Sequence, residues 1–368
     1  MRFGYWMPMF GGWLRNVDDE RMEASWAYVK TLARRSEEWG YDLTLLAELN
    51  LNDIKGVTAP SLDAWSTAAS LAAVTSTLEL MVAVRPTFHE PALLAKQAAN
   101  IDRISDGRLT LNVVSSWWKD EARQYGVQFD QHDQRYARTA EWLTVVDGLW
   151  REPTFSFRGQ FYTIDDAILE PKPVRRPRPT IYAGGESEAA RSLIAAQCDA
   201  YVMHGDSPQR IGARVEDLRT RRARVAGGSL PPMTFGVAGY SIVRDSDDEV
   251  RREFERITDV RQSAAGYGNY QQWIANTQLE QRLSLEDYSV SNRGLRSGLI
   301  GTPERVIEQV RAFEAVGVDL LLLQCSPQYE EMERFAREVI APYRSRERAV
   351  RASHANGAGY VGPPRVSV

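Results

Sequence analysis

The segment YAGGESEAARSL, residues 182–193, runs from an apolar stretch through two glycines and a serine into a helical pattern. Backbone amides at such a helix start, around Gly185 and Glu186 and beside the Ser187 hydroxyl, form a site for an anion such as a phosphate. The same turn and serine also serve ordinary helix capping. Arg135 and Tyr136, in DQRYART, can add a cation and a hydroxyl to that anion, although an arginine opening a helix is equally at home in solvent. In LNVVSSWWKDE, residues 111–121, Asn112 falls inside an apolar strand, where its amide needs a buried partner. The polar edge of a ring is one such partner and an internal water is another. Glu121 opens the next helix, where it can accept from a ligand hydroxyl or complement the helix dipole. Trp6, Phe10, Trp117 and Tyr240, with Ser115 and Ser116, stand at or just past strand ends. Such a set suits a phosphate-tethered planar ring stacked in an aromatic slot beside a small, weakly polar co-substrate. His89, His132 and His204 are each candidates for acid or base work.

The elements that must position these residues alternate along the whole chain. Short β-rich runs fall at 2–6, 43–47, 78–84, 109–114, 180–184, 200–204, 234–243 and 319–324. Helical patterns lie between them at 21–38, 62–73, 91–104, 133–149, 186–197, 207–224 and 303–316, and a last one at 328–342 closes the chain. Eight such units predict one closed (β/α)₈ barrel, an α/β TIM barrel, with its site at the C-terminal ends of the strands. Three segments interrupt the rhythm. Residues 154–164 read as a hairpin, followed by the proline-rich connection 170–179. The stretch of about 259–300, carrying Arg293, is long enough for a lid. The barrel is expected to occupy 1–344, leaving a Gly- and Pro-rich tail over 345–368 that is either disordered or an arm for a neighbouring subunit.

Composition narrows the function classes. With 43% apolar and 26% charged residues in 368, the chain can bury a large core. A net charge of −4 offers no basic face, so nucleic acid is not an expected partner. MRFGYWMPMF lacks the basic start and apolar core of a leader, and no stretch is long enough to span a bilayer, so no membrane association and a cytoplasmic location are expected. Two distant cysteines and four scattered histidines predict neither a disulfide framework nor a metal site.

FGYWMP, VAVRPTFHEPALLAKQAANIDRISDGRLTLNVVSSWW, QRYARTAEW, EPKPVRRPRPTIYAGGESEAA and GLIGTPERV together resemble the bacterial luciferase-like flavin monooxygenases, over nearly the full length. That resemblance implies reduced FMN and dioxygen as reactants. It places FMN contacts at Ala47, Glu48, Asn112, Glu121, Arg135, Tyr136 and Ser187, and a non-proline cis peptide at Ala83 and Val84 beneath the ring. QAANIDRISDGR resembles the alkanesulfonate and pyrimidine branch. FGGWLRNVDDERM and LLAELNLNDIKG resemble members that convert dimethyl sulfone to methanesulfinate and formaldehyde. Where sulfonate enzymes carry a histidine and an Arg-x-His pair, this chain has Phe10, Ala238 and Tyr240, which favours a neutral substrate. Arg293 could still supply a cation, so methanesulfonate stays the alternative. A deazaflavin-dependent dehydrogenase and a non-catalytic flavin-binding protein also remain open. No GxGxxG turn is present, so a separate NAD(P)H:FMN reductase is the expected flavin donor. The resemblance further implies a homodimer or homotetramer.

Overall fold

Apolar runs without alternation belong to strands buried on both faces, and that is where the eight runs end up. The structure is a computed structural model that describes residues 1–348 except 16, 18, 259–286 and 288. Most of the expected lid, and the tail beyond 348, lie outside the described residues. The barrel strands are β1 (Arg2–Trp6), β2 (Leu43–Leu46), β3 (Glu79–Val84), β4 (Leu109–Val113), β7 (Thr180–Ala183), β8 (Ala200–Met203), β9 (Thr234–Tyr240) and β12 (Leu320–Gln324). All pair in parallel, and the ring closes where β1 meets β12 in the register Arg2↔Leu320 to Tyr5↔Leu323. The fold is the closed (β/α)₈ barrel that the sequence predicts.

The helices lie between strands as the crossover connections of a parallel sheet require. They are α1 (Trp26–Trp39), α2 (Ala64–Val74), α3 (Pro91–Ile104), α4 (Lys119–Gln124), α5 (His132–Arg151), α6 (Glu188–Gln197), α7 (Pro208–Arg224), α8 (Asp247–Thr258), α9 (Pro303–Ala315) and α10 (Gln328–Phe335). Several starts are fixed by a side chain that accepts from the first turn: Ser25 for α1, Asp63 for α2, Ser187 for α6 and Ser207 for α7. Helix α1 stops at Gly40, which takes φ 85°. After α10 the helix passes through a π turn at Ala336–Ile340 and continues to 348, beyond the expected barrel end at 344. Phe335 and Tyr343 from this closing helix set their rings edge-on to Phe3, at centroid distances of 6.1 and 5.6 Å.

The hairpin appears as β5 (Phe155–Arg158) paired antiparallel with β6 (Thr163–Ala167). The connection after it is tied to the barrel through Arg178, whose guanidinium meets Asp147 and Asp199. Two features differ from expectation. The run 234–243 is not one strand: Ser241 N bonds Gln324 O, and the chain then leaves the ring so that β10 (Ile242–Val243) pairs with β11 (Ile300–Gly301). The helix expected at Glu121 is α4, only six residues long; α8, polar apart from a narrow stripe ending at buried Ile257, was not expected.

Candidate active site

Side chains following the C-terminal ends of the strands converge on one cavity. At one end lies the start of α6. Gly184, Gly185, Glu186 and Ser187 all line the cavity there. Gly185 has φ +147°, and a Cβ on it would stand 2.7 Å from Ala190 Cβ and 3.1 Å from Tyr136 Oη. The turn is therefore a tight cradle of backbone, open to an anion and closed to a side chain. The Ser187 hydroxyl accepts from Ala190 N at 3.2 Å and is also hydrogen-bonded to the Tyr136 side chain. Burial raises the Tyr136 phenol above its ordinary value, with Ser187 and Arg135 working against that shift. Arg135 reaches the same end of the cavity, bonded to Asp130 O at 2.9 Å and lying 4.6 Å from the Phe129 ring centroid.

The middle of the cavity is floored by β2, β3 and β4. Ala47, Ala83 and Asn112 line it. Asn112 is 6% exposed, and its Oδ1 is a buried acceptor with no donor among the described residues. Such an atom costs free energy unless a bound group satisfies it. Glu48 also lines this section and accepts from Arg85 N at 2.8 Å. The Arg85 guanidinium lies between Glu48 and Glu121 and donates through both terminal nitrogens to Glu121.

Trp6, Phe10, Trp13, Trp117, Val202, Met203 and Ala238 give the cavity its apolar lining, and Ser115 and Ser116 also line it. Trp117 stacks on Trp118 with an interplanar angle of 2°. Ser115 bonds Thr139 at 3.0 Å, whereas Ser116 Oγ is buried without a partner among the described residues. Arg293 lines the cavity from a 3₁₀ segment, Ser291–Ser297, in which Asn292 and Arg293 take φ of 60° and 54°. These are left-handed torsions that ordinary residues adopt only where surroundings enforce them. Arg293 Nη2 donates to Glu186 Oε1 and lies 2.9 Å from His204 Nδ1. Burial, aided by Arg296, pushes Arg293 down to about 10, so it stays charged at neutral pH. Burial, aided by Arg214, pushes His204 down to about 4, which keeps its ring neutral there.

Not every expected residue faces the cavity. Tyr240 is 1% exposed and packs instead with Leu14, Ile242, Ile257 and Val290, because β9 bends out of the ring just beyond it. Val84 is fully buried off the lining, and Glu121 is spent on Arg85 and on Asn50 N rather than on the cavity. The expected cis peptide at Ala83 and Val84 is trans: these residues continue the ladder as Ala83↔Asn112 and Val84↔Val113, and Val84 O accepts from Val114 N at 2.9 Å. Among the described residues the cis bonds all precede proline. Arg15 with Asp53 at 3.1 Å, Asp287 with Arg296, and Gln324 join the lining without having been expected. Asp53 stands 38 residues from Arg15, so local spacing carries no signal of that pair.

The arrangement thus offers an anion cradle, a bed with an orphaned acceptor and an aromatic lining. The luciferase-like monooxygenase model matches residues 1–320. The chain belongs to that family. Among curated members, the FMNH₂-dependent dimethylsulfone monooxygenase of Pseudomonas putida is 33% identical over 96% of this chain and 98% of its own length. The protein of that name from Pseudomonas fluorescens is 32% identical, covering 94% and 95%. Among solved structures of the luciferase-like fold, a long-chain alkane monooxygenase superposes with a TM-score of 0.79 at 18% identity, covering 94% of this chain and 92% of its own. At that identity the likeness concerns the barrel alone.

Proposed function

We propose that this monooxygenase uses reduced FMN and dioxygen to convert dimethyl sulfone into methanesulfinic acid and formaldehyde, with oxidised FMN and water as the other products. A separate NAD(P)H:FMN reductase supplies the flavin. Both curated relatives carry the sulfone and the reduced flavin in their names, and the residues present fit the cofactor. Ser187, Tyr136, Arg135 and the first amides of α6 would hold its phosphate, and Asn112 Oδ1 would accept from an N–H of its ring. When bound, reduced FMN supplies the two electrons that the reduction of dioxygen requires. The chain's own work is position and dryness: Trp6, Phe10 and Trp117 exclude water, and Ser115 and Ser116 lie at the edge of the reacting end.

One observation supports a neutral substrate over an anionic one. The cations near the reacting end are already matched by carboxylates: Arg15 by Asp53, Arg85 by Glu121 and Arg293 by Glu186. Arg135 stands apart from this pattern, beside the phosphate cradle. Among the described residues a sulfonate would thus meet no uncommitted charge there, whereas a sulfone needs none. Methanesulfonate is the second reading, favoured by Arg293 Nε and Nη1, which have no acceptor among the described residues.

The test is product analysis with reductase, NADH and oxygen. Formaldehyde and methanesulfinate in equal amounts from dimethyl sulfone are expected. Sulfite from methanesulfonate with the sulfone untouched would replace the first reading by the second, and flavin binding with no product from either would end both.

A further inference from the structure

We propose that Glu48 and His89 form a proton relay between the cavity and solvent. Glu48 lines the cavity, and its Oε1 is hydrogen-bonded to His89 Nε2. His89 lies outside the lining, and its side chain is 22% exposed. The pair therefore spans the wall, with the carboxylate inside and part of the imidazole in water.

Charged and aromatic groups surround the pair. Glu48 and Glu121 are two buried carboxylates served by the single guanidinium of Arg85. A proton on the Glu48–His89 pair brings this group to neutrality, and its loss leaves one net negative charge. The elements packed against the ring add aromatic groups: Trp65 of α2 stands edge-on at 5.9 Å, and Trp142 Nε1 of α5 donates to His89 O at 2.9 Å. Those contacts hold the ring and leave Nε2 for Glu48.

This inference rests on the oxygenation reading, in which methanesulfinic acid forms inside the cavity. A sulfinic acid is stronger than a carboxylic acid, so the S–O–H proton passes to Glu48 and leaves the sulfinate anion. With the neutral ring in its Nδ1–H tautomer, Glu48 hands the proton to Nε2, and the imidazolium so formed releases its Nδ1 proton to water. Exchange of the two ring tautomers through solvent restores the start. No electrons move.

The test has two arms. In the first, ¹⁵N-histidine NMR follows the FMN-bound protein across pH without substrate. The His89 ring is expected to change charge state, and E48Q to alter its course; a ring that keeps one charge state throughout overturns the relay, whatever the substrate proves to be. In the second, H89N is expected to lower kcat about 10- to 100-fold with KM within about twofold. Its pH dependence should flatten, and added imidazole should restore turnover in proportion to its concentration. Unchanged kcat and pH profile would overturn the proposal. So would a loss that imidazole leaves untouched and that weaker flavin binding accompanies, since that marks a brace. A wild-type protein inert toward the sulfone, with the first arm intact, would count against the oxygenation reading only.

Discussion

Gly185 concentrates the demands of the cradle in one residue, with a torsion that favours glycine and with Ala190 and Tyr136 against its missing side chain. Gly185→Ala should weaken FMN binding about tenfold or more through overpacking, while Ser187→Ala should cost about fivefold through one lost hydrogen bond. Quenching of flavin fluorescence on titration measures both. Glu186→Gln tests the pairing of Arg293: with its carboxylate gone, the guanidinium can serve an anion, and turnover of methanesulfonate should rise about tenfold relative to the sulfone. No rise in sulfite release would remove the electrostatic basis for a neutral substrate. At this scale the sequence is readable where the signal is local. Ser187, Gly185 and Tyr136 declare themselves through a turn and two helix starts, and Asn112 through its place in an apolar run. Tyr240 and Glu121 do not, because their facing depends on a bend in β9 and on Arg85, 36 residues away in the chain.

The eight barrel strands are readable because burial on both faces leaves unbroken apolar runs, and apart from β9 their boundaries shift by at most one residue. The split of 234–243 is hidden by the same cause, since β10 is as apolar as β9 and only its new partner β11 distinguishes it. The 3₁₀ segment that carries Arg293 is hidden for another reason: it is held by close approach rather than by periodicity. Gly205 N bonds Asn292 O at 3.0 Å, and a Cβ on Gly205 would lie 2.4 Å from Arg293 O. On the other side, a Cβ on Gly294 would lie 2.8 Å from Tyr240 N. Gly205→Ala should push this segment away from β8 and β9 at about 1–3 kcal/mol. Turnover should then fall far more than FMN affinity, because Arg293 leaves the cavity while the cradle stays. Equal losses in the two measurements would place the segment's influence elsewhere.

For the molecule as a whole, His204 ties stability to acidity. Its imidazole ordinarily titrates at 6.5 and is held down to about 4 in the fold. Between those values the unfolded chain binds a proton that the folded chain refuses, so stability is complete above about pH 6.5 and drains away as the pH falls toward 4. Urea midpoints at about pH 7 and about pH 4.5 should differ more for the natural chain than for His204→Gln; equal differences would show that the ring is not the source. The carboxylate partners of Arg15, Arg85 and Arg293 have a consequence at longer range. Opposite charges side by side leave a field that dies away within a few ångströms, so the cavity mouth neither draws distant ions inward nor repels them. Arrival of a small uncharged solute should then be governed by diffusion and fit, and its KM should hardly change between low and high ionic strength.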